Sequence, residues 1–385
     1  MRFLVTGGAG FIGSNLANAL SHETHNSSQY PAEQQLKSQG VNRINGERNN
    51  KTNDVIALDD LSLGISSNLS KEVKLVKGSV MDFDLVLELG KDCDYIFHQA
   101  ALSSSPMFLN DPRKGIDTNV MGFMNVMESA KRNKVKRVIY ASSSSIYNGL
   151  PMPYKESVNV APKTFYESSF YCREVIAQTY NLEYGIESIG LRYFSVYGPN
   201  ERHKGRFANN ISQFIWDMVE KKSPIIYGDG TQTRDFTFVD DVVRANILAM
   251  GKQNSRSAGE GSDNDNDNDN AKGHWRKDIL DSGFGVYNIG TGIQTSFNSV
   301  VEIINKLLGT DIRPTYTKNP INNYVQHTLA DISLARLELG YEPKWRNVEE
   351  GIKQLLSQYR SSDSISTSRS STSSSTSSSY PSIRI

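Results

Sequence analysis

Short apolar runs alternate along this chain with stretches whose apolar positions recur every three or four residues. Arg2–Thr6, Val55–Leu58, Tyr95–His98, Val138–Ala141 and Ser188–Arg192 have strand length. Each is nearly continuous in apolar character, which predicts strands covered on both faces. Between them, positions such as Ile12, Leu16 and Leu20 fall at the four-residue spacing of a helix face. Strands that alternate with helices predict a parallel sheet layered by helices, a doubly wound α/β domain over about residues 1–191. After Arg192 the pattern becomes mixed. It predicts a smaller C-terminal lobe over about 192–360, some of whose strands return to the main sheet. A helix predicted around Asn119–Lys131 carries Val120, Met121, Phe123, Met124, Val126 and Met127. Apolar almost all round, it is expected to be buried.

Three stretches break the pattern. Residues from about Glu23 to Asp54 are polar, with much Asn, Gln and Ser, and residues from about Asn254 to Asp281 include an Asp-Asn repeat over 263–270. From about Ser361 the chain is nearly all Ser and Thr. None has the apolar content that offsets ordering entropy, so two flexible insertions and a disordered tail (361–385) are expected. The Asp-Asn run is no calcium loop: Asn268 stands where the turn needs glycine, and His274 where a bidentate Glu belongs.

Composition narrows the class. In 385 residues, Lys and Arg number 42 and so do Asp and Glu, for a formal net charge of +0. A balanced chain lacks the positive surplus that broad nucleic-acid or membrane binding needs. No apolar run nears the roughly 20 residues of a membrane span, and Thr6-Gly7-Gly8-Ala9-Gly10 breaks any leader-like helix at the start. Two cysteines, Cys93 and Cys172, make no disulfide framework. The histidines and cysteines show no zinc spacing, so no metal is expected. A soluble, cytoplasmic protein is the resulting expectation.

Candidate chemistry begins after the first strand, in Gly7-Gly8-Ala9-Gly10-Phe11-Ile12-Gly13. Glycines between a strand and a helix let the backbone turn tightly and approach a pyrophosphate at the helix N-terminus. The second strand ends in Asp59-Asp60, followed by Leu61. An acid there accepts hydrogen bonds from the adenosine ribose hydroxyls, and two carboxylates repel a 2′-phosphate, favouring NAD over NADP.

With these motifs stand Val55–Gly64, His98-Gln99-Ala100-Ala101, Asp117–Gly122, Ser142–Tyr147, Leu191–Pro199, Tyr227–Asp241 and Ala330-Asp331. From Met1 to about Tyr359 the chain resembles the NAD-dependent epimerase/dehydratase branch of the extended short-chain dehydrogenase/reductase family, in particular nucleotide-sugar 4-epimerases. The resemblance implies a Rossmann-type sheet and NAD as cofactor. It implies reversible oxidation of a UDP-hexose at C4 through a transient 4-keto sugar, by a homodimer whose contact uses the Asn119 helix and the tyrosine-bearing one. It places Gln99, Ala100 and Ala101 along the pyrophosphate and nicotinamide ribose. Asn119 and Phe194 also fall near the cofactor, and Ser79-Val80 at the adenine. Ser143 matches the hydroxyl that bonds the sugar O4, and Tyr166 the catalytic tyrosine. On the substrate side it implies Arg234 on a phosphate oxygen, Ile226 and Tyr227 along the base, Asn209 (or Asn210) at the diphosphate, and Ser195 in the sugar pocket. Arg234 could equally pair with Asp235 or Asp240.

Several positions depart from the family. Ser79 replaces a usual Asp, and Ser195 a usual Asn. Ile321 and Tyr324 stand in a stretch where relatives carry Arg and Asp. Ser144-Ser145 replaces the Asp-Glu pair of dehydratases and disfavours dehydration. Most consequential is Phe170, where the family has a lysine four residues after the tyrosine; no Tyr-x-x-x-Lys occurs in the chain. A phenol whose ordinary pKa is about 10 needs positive charge to act as base near neutral pH. Lys163 and Arg173 are the candidate substitutes. Open alternatives are a reductase or decarboxylase of the same fold, or a binding protein for NAD or nucleotide sugar with impaired catalysis.

Overall fold

The computed structural model describes residues 1–22, 53–109, 111–252, 283–319 and 324–367, the last eight as backbone only. Seven strands form one sheet: β1 (Arg2–Thr6), β2 (Asp54–Asp59), β3 (Lys74–Lys77), β4 (Tyr95–His98), β5 (Arg137–Ser143), β6 (Ser188–Tyr193) and, far along the chain, β11 (Phe284–Ile289). Their order is β11-β6-β5-β4-β1-β2-β3, and every pair is parallel. The order reverses between β1 and β4. Connections there leave in opposite directions, which opens a crevice beyond the carboxyl ends of the strands.

Helices cover both faces. Phe3 and Val5 of β1 pack with Leu16 and Leu20 of α1 (Phe11–His22) and with residues of a helix near the C-terminal side of the sheet. Leu4, between them, packs on the opposite face with Ile56 and Val138. That alternation is why a doubly covered strand reads as continuously apolar. On the Leu4 face lie α2 (Phe83–Leu89), α4 (Gly122–Asn133) and α5 (Phe165–Tyr184), and the short α3 (Pro112–Ile116) packs beside α5. Thr164 and Glu167 form a reciprocal capping box at the start of α5, which fixes where its first turn begins.

The C-terminal part adds β7 (Val196–Tyr197), α6 (Asn210–Val219), β8 (Ile225–Tyr227), β9 (Thr233–Arg234), β10 (Thr237–Phe238) and α7 (Val239–Met250), the helix on the β1 face. After β11 follow β12 (Thr295–Ser296), α8 (Phe297–Leu308), β13 (Thr315–Thr317), α9 (Ser333–Leu339) and α10 (Val348–Thr367). Phe214, Ile215, Phe236, Phe238, Phe297, Val300, Ile352 and Leu355 make its own core.

The five predicted strands form within one or two residues of their expected ends. β3 has only Leu75 and Val76 between two lysines, the pattern of an edge strand, and lies outside the sequence expectation. The helix expected to be buried all round is instead two elements. A π-helical turn (Asp117–Met121) precedes α4, and α4 buries Phe123, Val126, Met127 and Ala130 while Met121 is 45% exposed. At a period of 3.6, one face meets the sheet and Met121 lies outside it. Asn53 and Asp54, expected in the first insertion, are ordered, and Asp54 pairs with Arg2. The helical backbone continues to Thr367, past the expected start of the tail. The Asp-Asn run, Ile321 and most of the Ser-rich end fall outside the described residues. Among the described residues no helix is long and apolar enough to cross a membrane, and no group of three or more His, Cys, Asp or Glu could hold a metal ion.

One buried carboxyl couples folding to pH. Glu156 is 6% exposed and accepts the Asn288 N–H of β11 at 2.7 Å. Burial raises its pKa from 4.5 to about 7. The folded state therefore holds a proton that the unfolded chain has lost between those values. Stability falls as pH rises from about 4.5 to about 7, by at most about 3 kcal/mol. Glu156→Gln is expected to remove that slope and raise stability at pH 8, as read by denaturant unfolding across the range.

Candidate active site

The crevice at the β1–β4 reversal is a cavity of about 920 Å³, large for a single small-molecule site. Its first wall is the glycine loop. Gly7 has φ of +65°, and a β-carbon there would stand 2.6 Å from the Ala100 nitrogen; one on Gly13 would collide with the Gly7 oxygen. Those glycines are required by the turn itself. Gly10 differs: its missing side chain faces the cleft, and a β-carbon would meet only the Gly7 oxygen, at 3.2 Å. The N–H groups of the first turn of α1 have no intrahelical partners and favour an anion at that place. Gly10→Ala is accordingly expected to weaken NAD binding by about tenfold or more, about 1.4 kcal/mol or more, with little change in Tm. Isothermal titration beside scanning calorimetry reads both.

Asp59 ends β2 nearly buried. Its Oδ2 accepts the Ala9 N–H at 2.9 Å and its Oδ1 the Leu61 N–H at 2.8 Å. Burial pushes its pKa up while these N–H bonds pull it back. The carboxylate thus ties the glycine loop to β2, and two oxygens still have lone-pair capacity toward the cleft. Asp60 also lines the cleft, and its Oδ1 accepts the Ser62 N–H at 2.9 Å. Ser79 and Val80 line the same end; Gln99, Ala100 and Ala101 line the middle. This cradle, with glycines where a side chain would intrude and an acid at the end of β2, fits a dinucleotide.

Beyond the middle of the cleft stands a phenol with two hydroxyls. Ser143 ends β5 and Tyr166 lies in the first turn of α5. The Tyr166 hydroxyl is 3.2 Å from Ser143 Oγ and donates to the Ser103 carbonyl at 3.2 Å. Ser143 Oγ is in turn 2.5 Å from Ser145 Oγ. Burial raises the Tyr166 pKa; the bonds from Ser143 and Ser145 and the charge of Arg173 lower it, and Glu167 raises it. Phe108 and Phe170 hold the ring edge-on, with centroids 5.7 and 5.1 Å away. A phenol held between hydroxyls at the mouth of a dinucleotide cleft can pass a proton to and from a carbinol oxygen.

At the far end, Arg234 donates to the carbonyls of Thr233 (2.8 Å), Gln326 (3.0 Å) and Val325 (2.6 Å) and lies over the Tyr324 ring at 5.0 Å. No carboxylate pairs with it among the described residues. Asp235 is instead saturated by Thr291, Gly292 and Ala330. Ser195 and Asn209 line this end, and Asn209 caps α6 by accepting the Ile211 N–H at 3.0 Å.

Five residues expected at the site lie off the cleft wall. Asn119 is fully buried and holds Leu102 through both its backbone N–H and C=O, so it positions the β4 loop. Phe194 and Ile226 are fully buried in the cores. Leu61 points off the wall, its N–H engaged by Asp59. Tyr227 is 45% exposed on β8. Beside Leu61, Asn119 and Phe194 a neighbouring residue lines the cleft and the turn or pleat rotates these away, while on β8 the pleat sends Ile226 into the core and Tyr227 outward. Conversely, His203, Lys204 and Arg206 line the cleft and lie outside the sequence expectation, and Ser145, read there only as the replacement of an acid, lines it too. The charge density of Glu201-Arg202-His203-Lys204-Gly205-Arg206 was the available signal.

Comparison with known proteins agrees with this geometry. The model of the NAD dependent epimerase/dehydratase family matches residues 3–261. A UDP-glucuronate 4-epimerase of Thermodesulfobacterium geofontis is 32% identical over 68% of this chain and 71% of its own. The UDP-N-acetylglucosamine 4-epimerase of Methanobrevibacter ruminantium, solved with UDP-N-acetylmuramic acid, superposes with a TM-score of 0.74 at 29% identity, covering 94% of this chain and 98% of that one. The UDP-glucose 4-epimerase of Thermotoga maritima, solved with UDP-glucose, gives 0.73 at 29% identity, covering 94% and 99%. A matching family model over most of the chain, the seven-stranded sheet and the glycine cradle converge: the chain belongs to the NAD-dependent epimerase/dehydratase family.

Proposed function

We propose that this protein is an NAD-dependent 4-epimerase of a UDP-sugar. The observation that carries the reading is the Ser143–Tyr166 pair, 3.2 Å apart in the same cleft as the glycine cradle. The sheet half would hold the cofactor: Gly7, Gly10 and Gly13 with Phe11 and Ile12 at the pyrophosphate, Asp59 and Asp60 at the ribose, Ser79 and Val80 at the adenine. The C-terminal lobe would hold the substrate, with the Arg234 guanidinium on a phosphate and Asn209 and Ser195 nearer the sugar.

When bound, NAD supplies a reversible hydride acceptor and a positive ring beside the phenol. Tyr166 takes the proton of the C4 hydroxyl as that carbon is oxidised, and Ser143 orients the oxygen. The keto sugar then turns about its diphosphate, anchored by Arg234. Hydride would then return to C4 on the face that the turn has presented, as Tyr166 gives the proton back to the C4 oxygen. Ser144 and Ser145 offer no acid–base pair for elimination, so the sugar leaves with its mass unchanged.

The test is incubation of purified protein with UDP-glucose and UDP-galactose, and in parallel with UDP-glucuronate and UDP-N-acetylglucosamine, the sugars its relatives are named for. Interconversion of one 4-epimer pair at constant mass is expected. No interconversion of any pair at high enzyme concentration sinks the proposal. Binding without turnover would favour the silent binding protein that Phe170 suggests.

The proposal includes a homodimer. Phe165, Cys172, Val175 and Leu182 recur on one face of α5 at three- and seven-residue steps, and Val175 and Leu182 are 42% and 63% exposed. Such a stripe packs against a second helix pair. Light scattering should give twice the chain mass, and Val175→Asp with Leu182→Asp should give the monomer.

A further inference from the structure

The helix that carries Tyr166 buries a cation that the proposed reaction has not used. Arg173 lies two turns after Tyr166 on α5 and is fully buried. Its Nε donates to the Asn119 carbonyl at 2.7 Å, Nη1 to Ala141 at 3.2 Å and Nη2 to Ala100 at 2.9 Å. Ala100 and Ala141 line the cleft. A buried guanidinium ordinarily brings a carboxylate with it. Among the described residues none pairs with Arg173, and its carboxylate neighbour in sequence, Glu174, is turned to Arg192. The groups that feel its charge are Tyr166, Tyr140 and His98.

Phe170 touches both. Its ring centroid is 5.1 Å from that of Tyr166 and 4.8 Å from the Arg173 guanidinium. An apolar ring packed on both groups keeps water from them, so the charge acts there with little screening. Arg side chains on a helix lean toward its N-terminus, which carries this guanidinium back toward the first turn. Lys163, the other nearby cation, is directed elsewhere: its Nζ occupies the place a Gly149 side chain would take. Glu167 opposes the phenolate, the Ser143 and Ser145 hydroxyls favour it, and Asp111 and Lys114 line the same cleft from α3 and its cap.

We propose that Arg173 is the positioning cation of this site. Packed against Phe170, it stabilises the Tyr166 phenolate and, by holding the Ala100 and Ala141 carbonyls, sets the cleft floor against which the phenol works. A lysine at position 170 would bring its charge into the cleft; here the charge is kept beneath the floor.

The experiment follows the ionisation of Tyr166 in the full chain as purified, with tyrosine labelled by carbon-13 at Cζ and the resonance assigned by its loss in Tyr166→Phe. A unit charge acting on a titrating group through protein interior changes its protonation constant by about tenfold. Arg173→Met is expected to move the Tyr166 ionisation to higher pH by about that factor, and to move the low-pH limb of kcat with it. Arg173→Gln, which keeps N–H donors for the carbonyls without the charge, must do the same, and decides alone if Arg173→Met does not fold. Arg173→Lys must keep the wild-type limb. A Tyr166 ionisation unmoved in a neutral variant overturns the proposal, as does an equal displacement in Arg173→Lys, which would assign the effect to the lost carbonyl bonds. The inference rests on the proton role proposed for Tyr166. The titration needs no substrate, so a protein that shows the displacement but epimerises nothing would refute that role and leave the cation in place.

Discussion

Tyr166→Phe is expected to lower the turnover of UDP-sugar interconversion by about 10²–10⁴-fold, with KM nearly unchanged. The substitution removes one oxygen and keeps the ring, so the edge contacts with Phe108 and Phe170 survive. What disappears is the hydroxyl 3.2 Å from Ser143 Oγ, the group assigned the proton. Binding energy at the phosphates and ribose stays, which is why the loss belongs in kcat. The pH profile carries a second signature. Burial raises the phenol above its ordinary value, and the base form is the active one, so wild-type activity climbs as pH rises through that ionisation. The climb should vanish in Tyr166→Phe. Proton NMR of the sugar anomeric signals measures both; a variant that keeps more than about a tenth of wild-type turnover would exclude Tyr166 as the base.

The second large effect is on stability. Glu174 and Arg192 are a fully buried ion pair between α5 and β6, 0% and 1% exposed. Glu174 Oε1 accepts Arg192 Nε at 2.8 Å and Ser142 Oγ at 2.6 Å, and its Oε2 accepts Arg192 Nη2 at 2.6 Å. The remaining arm of Arg192 donates to the Tyr147 hydroxyl, which donates to Asn288 of β11 at 2.8 Å. One carboxylate thereby joins α5 to three neighbouring strands. Glu174→Ala leaves a guanidinium in the interior without its counter-charge, which typically costs about 3–5 kcal/mol. In a chain of this size that lowers Tm by about 5 °C. Arg192→Met together with Glu174→Leu should lose far less, because no uncompensated charge remains. Denaturant unfolding of the single and double variants decides: a single-variant loss under about 1 kcal/mol would show that the pair is exposed to water.

Legibility differed between kinds of residue. The strands from β1 to β6 other than β3 could be read because burial on both faces leaves an unbroken apolar run. β3 could not, being an edge strand with two apolar residues between lysines. The glycine loop was legible since much of its geometry is local: Gly13 is demanded by Gly7 and Gly8, and Gly7 by its own positive φ as well as by the loop after β4. Ser143 and Tyr166 were found through their motifs, although no spacing rule could bring them within 3.2 Å. Ile226 and Tyr227 show the opposite case. Both were expected along a base, yet β8 turns one into the lobe's core and the other to the surface, and a three-residue strand has too short a period to reveal which.

By itself, then, the order of residues determined the layered sheet, the phosphate turn and the chemical inventory, because each depends on neighbours within a turn or a strand. Packing alone decided what the inventory does. Arg234 is held by carbonyls 91 and 92 residues away, and Asp59 binds a loop 50 residues before it. Arg173, in one dimension only one of two candidate cations, becomes a sealed charge close to the phenol because the sheet closes over it. Contacts between segments so distant leave no periodicity in the chain. They exist only once apolar burial has brought the layers together, and there the loss of water sets how strongly each charge acts.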